Sequence, residues 1–266
     1  MQARFVQVPP ESPDALLRLS PVLAETVARW SADRHASAVV IRHQRPYILL
    51  GPKDRRLPDL SGALDWLYGM GYPVFMRIGG GSAVLLDGQC LSFAISQPCH
   101  DFTVWESNFR MMAQGVIDGL CSIGIPAKFG RAKGSYCEGP YDLVAQGRKI
   151  AGIAQAIRGG FALVSGMLLI RQDPVRTTAL LQEFYQRAGS DLVLDPNAVT
   201  ALHRMPGMRD ITVDQVEESL RTGFSQHYEL INSTLGPEEL ALAEQLLSER
   251  QITAELTRFS KKGGHS

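Results

Sequence analysis

Three short apolar runs crowd the middle of the chain: PVFMRI (73–78), SAVLLD (82–87) and CLSFAIS (90–96), the first two separated by Gly79-Gly80-Gly81. Runs this short, bounded by turn residues, predict strands rather than helices. More of the same kind surround them: SAVVIR (37–42), YILL (47–50), two runs at 141–145 and 149–157 flanking a turn at Gln146-Gly147, and FALVSGMLLI (161–170). Helical spacing dominates elsewhere. Ser20-Pro21 reads as an N-cap and first turn before VLAETVARW. Leu60, Leu64, Leu67 and Met70 share one helical face, as do Phe109, Met112, Val116 and Leu120 within 103–122. Pro174 opens a segment with Leu180, Leu181 and Phe184; Thr212 to Gln215 forms a capping box before Val216 and Leu220; Gly236-Pro237 opens a helix carrying Leu240, Leu242, Leu246 and Leu247. The terminal SKKGGHS reads as frayed. Strands in the centre with helices toward the ends predict an α+β fold, not alternating βαβ units.

The 266 residues are enough to bury a sizeable core. Lysine plus arginine equals aspartate plus glutamate, 27 against 27, which argues against a nucleic-acid partner. No run of about 18 apolar residues predicts a membrane span, and the N-terminus lacks a signal core, so a cytoplasmic location is expected. Cys90, Cys99, Cys121 and Cys137 form no CxxC pair, so no zinc site and no metal are expected, and free thiols are.

The chemistry concentrates in GSYCEGPYDLVAQGRKIAGIAQAIR (134–158). Cys137 lies in a turn-like stretch among Gly134, Gly139 and Pro140, where a thiol is expected to be accessible. Cys90, in an apolar run, and Cys121, at the apolar end of a helix, read as small buried hydrophobes. Cys99 adjoins His100, but sequence neighbours seldom face one another productively. A thiol needs a nearby cation to become a useful fraction thiolate at neutral pH. Lys149 is one candidate, brought back by the Gln146-Gly147 turn; Arg131 and Lys133 are others, and a solvated strand-end lysine is the plainer reading of Lys149. No histidine lies between His100 and His203, so a thiol–amine pair is the local possibility. The glycine triplet fits either a simple hairpin connection or a loop that lets backbone approach a ligand. Arg77 before it could meet a phosphate or carboxylate. Neither a P-loop nor GxGxxG is matched.

Taken together, R-x-GGG-x-AV, a following aspartate, and D-L-x5-KI-x-G-x-AQ resemble the lipoate–protein ligase and octanoyltransferase superfamily. The matching residues are Arg77, Gly80, Gly81, Ala83, Val84, Asp87, Asp142, Leu143, Lys149, Ile150, Gly152, Ala154 and Gln155. LGPKDRRLPDL (50–60) and SYCEGPYDL (135–143) are similar to its cysteine-dependent branch, which moves octanoyl groups from the glycine cleavage H protein to other lipoyl domains. The resemblance implies a biotin/lipoate A/B ligase-type fold over residues 1–205, with 206–266 as a C-terminal helical extension packed on it. It implies Cys137 as acyl-carrying nucleophile and Lys149 as ligand of the acyl carbonyl. Arg77, Gly79, Gly80, Gly81, Ser82, Asp142, Gly152, Ala154 and Gln155 are the implied substrate-binding residues. Octanoylated H protein would be the donor and the lipoyl domains of 2-oxoacid dehydrogenase complexes the acceptors, with no cofactor. Met76 stands where ATP-using ligases carry a second arginine, which weighs against adenylate formation. Octanoyl transfer from acyl carrier protein, and a non-catalytic acyl-binding or carrier-docking role, remain the alternatives.

Overall fold

The computed structural model describes residues 1–255 and 257. In chain order the elements are β1 (Gln2–Val8), α1 (Asp14–Leu17), α2 (Ser20–Arg34), β2 (Ser37–Arg42), β3 (Tyr47–Leu50), α3 (Leu60–Gly69), β4 (Val74–Met76), β5 (Val84–Leu86), β6 (Cys90–Pro98), α4 (Trp105–Ser122), β7 (Lys128–Gly130), β8 (Asp142–Ala145), β9 (Arg148–Arg158), β10 (Phe161–Leu169), α5 (Pro174–Arg187), α6 (Val213–Ser225), β11 (Glu229–Ser233) and α7 (Pro237–Arg250), with short 3-10 turns at Pro52–Arg56, Pro196–Ala198 and Leu202–Arg204. Eight strands make one mixed sheet in the order β11-β1-β2-β6-β10-β9-β8-β7, and β4-β3-β5 make a second, smaller one.

Burial on both faces explains why the central strands read as unbroken apolar runs. Every residue of β2 is buried. One face of the large sheet, through Val39, Ile41, Phe93 and Val164, meets α4 and α6. Helix α2 covers the other face at Val40, Ala94 and Leu163. The small sheet forms a separate core with α3 and α5, in which Leu64, Leu67, Leu181 and Phe184 are buried. Caps set the helix starts: Asp59 accepts from the Gly62 N–H before α3, Asp173 from Val175 before α5, and Thr212 and Gln215 close a capping box before α6.

The α+β architecture is as the sequence predicts, with four local differences. Ser20 does not cap α2: the helix begins at Ser20, and its carbonyl and hydroxyl instead accept from Arg42 Nε at 3.0 and 3.2 Å. Strands β1 and β7 were not anticipated. Nor was β11, which lies in a region expected to be helical and pairs in parallel with β1, Gln2 opposite Glu229. Cys121 is exposed, although its helix position predicted burial. The SKKGGHS segment lies outside the described residues.

Candidate functional site

Cys137 lies in the loop between β7 and β8, half-buried, with φ of 48°. A left-handed backbone at a residue with a side chain is uncommon and needs support from its surroundings. Lys149, on β9, provides it. Its side chain is 1 % exposed, and Nζ donates to the carbonyls of Tyr136 at 3.0 Å and Cys137 at 2.7 Å while pairing with Asp142 Oδ2 at 3.0 Å. An ammonium has three N–H groups, so all three are occupied. Asp142 Oδ2 also accepts from the Gly139 N–H at 3.0 Å, which ties down the far side of the loop. Burial pushes the Asp142 carboxyl above its usual range; the Lys149 charge and hydrogen bond offset this only in part.

The direct partner of the sulfur is Arg77. Its Nη2 lies 3.0 Å from Cys137 Sγ and donates also to the Ser82 carbonyl at 2.6 Å, while the Ser82 N–H points at the same sulfur from 3.2 Å. Burial by itself would raise the thiol pKa. The Arg77 charge, the Lys149 charge and the hydrogen bonds from Ser82 and Arg77 together outweigh it, so Cys137 ionises below the ordinary thiol value. The other cysteines lack this setting: burial pushes the Cys90 thiol far up, and Cys99 bonds to the Asp101 carbonyl and to Asn108, not to His100.

The glycine triplet is where the backbone passes the sulfur. Gly81 has φ of 101°, and a Cβ there would sit 2.7 Å from Cys137 Sγ and collide with Arg77 Nη2. Gly79 packs on Ala154, and the Gly80 N–H reaches the Gln155 carbonyl at 3.4 Å. A second layer holds the loop from behind: the Ala83 N–H donates to Tyr185 Oη at 2.9 Å, Tyr185 donates to Asp54 Oδ1 at 3.1 Å, and Asp54 Oδ2 accepts from the Gly51 N–H at 2.8 Å. Gly51 itself lies so close to the Gly81 carbonyl that no side chain fits between them.

A cavity opens beside Cys137 between the two sheets. Gly152, Ala154, Ala156, Leu163, Ser165 and Met167 of the large sheet line one wall; Leu49, Met76, Ile78, Val84 and Leu86 line the opposite one; Pro21, Ala24, Glu25, Arg42 and Arg250 complete it. The structure thus gathers Cys137, Lys149, Arg77, Gly79, Gly80, Gly81, Ser82, Asp142, Gly152, Ala154 and Gln155 into one region. It differs from the sequence reading in which cation meets the sulfur: Arg77 does so, and Lys149 grips the loop backbone. Asp54, Tyr185 and Gly51 were not singled out from sequence. The signal for Gly51 and Asp54 lay in the 50–60 stretch; Tyr185 lies outside it, and its role depends on a contact with Asp54 across 131 residues.

The site is a polarised thiol beside an apolar slot between two sheets. Comparison with known proteins makes this specific. The Lipoyl protein ligase A/B catalytic domain model matches residues 20–225, and the chain belongs to that family. It is 31 % identical over 193 residues to the octanoyl-GcvH:protein N-octanoyltransferase of Kyrpidia tusciae, covering 69 % of this chain and 65 % of that one. The similarity to the same-named protein of Geobacillus kaustophilus is 32 % over 222 residues, covering 78 % and 77 %. The lipoyl-GcvH:protein N-lipoyltransferase of Listeria monocytogenes is 30 % identical over 209 residues, covering 73 % of each. In fold, the chain is similar to a lipoate-protein ligase A bound with ATP (TM-score 0.72, 23 % identity, 94 % of this chain and 95 % of that). It is also similar to a bi-partite lipoate protein ligase from Thermoplasma acidophilum (TM-score 0.71, 20 % identity, 94 % and 93 %). Among the described residues no helix is long and apolar enough to cross a membrane.

Proposed function

We propose that this chain is an octanoyltransferase that moves an octanoyl or lipoyl group from octanoylated glycine cleavage H protein to lysines of lipoyl domains, in the cytoplasm and without ATP, through a thioester on Cys137. The observation that carries this reading is the sulfur itself, held at 3.0 Å by Arg77 Nη2 and 3.2 Å by the Ser82 N–H beside an apolar slot. Such a setting favours thiolate, the nucleophilic form. The names of the similar proteins from Kyrpidia tusciae, Geobacillus kaustophilus and Listeria monocytogenes support the donor.

The reaction exchanges one lysine amide for another, so its overall balance needs no ATP. The thiolate attacks the donor amide carbon, the C–N bond breaks, and the H-protein lysine leaves as its neutral amine with a proton taken up from water; the acceptor lysine, as free amine, then attacks the thioester, gives a proton back to water and releases the Cys137 thiolate. Splitting the exchange into two steps lowers a barrier that the direct amide exchange would not. Each step passes through a tetrahedral oxyanion, and the Ser82 N–H and Arg77 Nη2 are the donors nearest the sulfur that would meet it. Lys149 contacts an acyl carbonyl only by giving up one of its three present bonds. An octanoyl chain in the slot would contribute roughly 4–5 kcal/mol at about 0.8 kcal/mol per buried CH₂. Gly79, Gly152 and Ala154 leave the room beside the sulfur that the chain would fill.

Incubation with octanoylated H protein, without ATP, is expected to add one octanoyl mass to the intact protein, removable by hydroxylamine. Cys137→Ser should abolish the adduct. An adduct that survives in the variant places the nucleophile elsewhere. A wild-type protein that takes octanoyl only from acyl carrier protein replaces the donor.

A further inference from the structure

The slot beside Cys137 has a definite end. At the thiol end its floor is Gly152 and Ala154 of β9, with Gly152 3.3 Å from the Lys149 Cε. Strand register carries the same face across the large sheet: Ala154 stands opposite Ser165, Ser165 opposite Ala94, and Ala94 opposite Val40. Ser165 of β10 is still open floor. At Ala94 of β6 and Val40 of β2 helix α2 packs on the sheet, and its Pro21, Ala24 and Glu25 line the cavity from that side. Two strand spacings separate β9 from β6, about 9.5 Å. An octanoyl chain, extended in zigzag with bonds of about 1.5 Å, spans about 9 Å.

An ion pair completes this end. Glu25 accepts from Arg250 Nε at 2.9 Å and Nη2 at 2.7 Å, and from Arg29 Nη2 at 2.7 Å. Glu25 and Arg250 line the cavity; Arg29, one helical turn further along α2, does not. Arg250 is the last residue of α7, and the chain after it joins the small sheet, with Gln251 opposite Phe75 and the Ile252 N–H on the Val74 carbonyl. The guanidinium therefore spans the gap between α2, on the floor, and β4, whose Met76 lies on the opposite wall. Its side chain is 21 % exposed, so its outer side meets water. Burial alone would raise the Glu25 carboxyl, but the hydrogen bonds and charges of Arg250 and Arg29 outweigh it and hold it below its ordinary value. The pair is charged at neutral pH. A further methylene would have to part a partly buried, bidentate ion pair, which costs more than burying one CH₂ returns.

We propose that the Glu25–Arg250 pair is the end wall of the slot, so that α2 and the end of α7 select acyl groups of about octanoyl length and exclude longer ones. A lipoyl group, built on the same eight-carbon chain, meets the same limit. The proposal rests on the transfer reading for the cargo at the sulfur and adds what sets its length.

Binding tests the wall without the chemistry. The Cys137→Ser protein is titrated calorimetrically with Nα-acetyl-lysine amides whose side-chain amine carries hexanoyl, octanoyl, decanoyl or dodecanoyl, mimics of the donor amide. Affinity is expected to rise roughly four-fold per methylene up to octanoyl, and to fall about ten-fold or more by dodecanoyl. Adding Arg250→Ala, which leaves Glu25 paired with Arg29, should let dodecanoyl bind about as well as octanoyl. Arg29→Ala weakens the same ion network but keeps the lining pair, and should leave the cut-off in place. Ala24→Leu, which fills the same end, should move the best chain to hexanoyl. Affinity that climbs through dodecanoyl without the wall being opened overturns the proposal, as does a cut-off unmoved by Arg250→Ala in a cooperatively melting protein, or one moved equally by Arg29→Ala. Binding of none of the four amides overturns it as well. The transfer reading is scored apart, on wild type with the octanoyl thioester of N-acetylcysteamine and intact mass. Cys137 Sγ forms the new S–C bond, the old C–S bond breaks, and N-acetylcysteamine leaves as thiolate and takes a proton from water. No adduct, beside the expected ladder of affinities, sinks the thioester and leaves the wall standing.

Discussion

Cys137 joins a left-handed backbone to a thiol held by an arginine and a backbone amide, and each part can be removed alone. Arg77→Met deletes the largest favourable influence on the thiolate, the Arg77 charge, while leaving Lys149 in place. Losing a hydrogen bond to a charged group, worth about 1.5–3 kcal/mol, should slow iodoacetamide alkylation at pH 7 by roughly ten-fold or more and move its pH profile upward. An unshifted profile would show that Arg77 does not set the thiol. The sign for stability follows. The folded pKa lies below the unfolded value of about 8.5, so the folded state binds fewer protons between the two. The contribution is complete above the unfolded pKa and is lost as pH falls through the folded one; urea midpoints of wild type should gain over Arg77→Met across that window. Gly81→Ala tests the loop. At φ of 101°, with the new Cβ 2.7 Å from the sulfur, it should cost roughly 1–3 kcal/mol and remove octanoyl adduct formation. The thiol, the lysine and the glycine triplet were legible as a motif. The bond between Arg77 and Cys137 was not, because it spans 60 residues and depends on how β4 ends against the loop.

The hairpin of β8 and β9 carries the loop, and its buried ion pair holds the two together. Strand β8 begins at Asp142 and β9 bears Lys149, so the turn at Gln146-Gly147 brings carboxylate and ammonium to 3.0 Å. Removing one member of a buried pair strands the other, at about 3–5 kcal/mol. Lys149→Met should therefore lower the urea midpoint as well as activity. Lys149→Met with Asp142→Leu should recover part of the stability without recovering acylation, since the carbonyls of Tyr136 and Cys137 would still lack their donor. A double variant no more stable than the single one would show that the carboxylate is not what is stranded. The sequence allowed a solvated strand-end lysine here; burial of the amine became visible only with the loop folded over it. The same limit explains the unanticipated strands. Residues 229–233, ELINS, carry weak apolar alternation and are strand because β1 lies beside them, 227 residues away in sequence from Gln2 to Glu229. Strands β2, β6 and β10, buried on both faces, announced themselves as apolar runs.

At the scale of the whole molecule, the segment after residue 205 binds the two sheets into one body. Helix α6 buries Val216, Leu220 and Phe224 in the core under the large sheet, where Gly115 and Gly119 of α4 meet Gly223 so closely that a Cβ would strike backbone. Strand β11 covers the edge of β1. Helix α7 places Ala243 and Leu246 against Leu23 beside α2, and its Arg250 pairs with Glu25 at the cavity wall. Beyond it the Ile252 N–H bonds to the Val74 carbonyl, so the chain also ties the small sheet to the rest. A protein ending at residue 205 would keep every residue proposed for catalysis. It would lose the burial of the three α6 side chains, about 5–9 kcal/mol at 1.5–3 kcal/mol each, against a total stability of about 5–15 kcal/mol for a typical domain. It would also expose the β1 edge, a template for association with other chains. The 1–205 fragment is therefore expected to be insoluble, or expanded by circular dichroism and size-exclusion chromatography, and to form no octanoyl adduct. A soluble, cooperatively melting fragment that still acylates Cys137 would show that residues 206–266 are an appendage, and that the catalytic unit ends where the first helices and strands do.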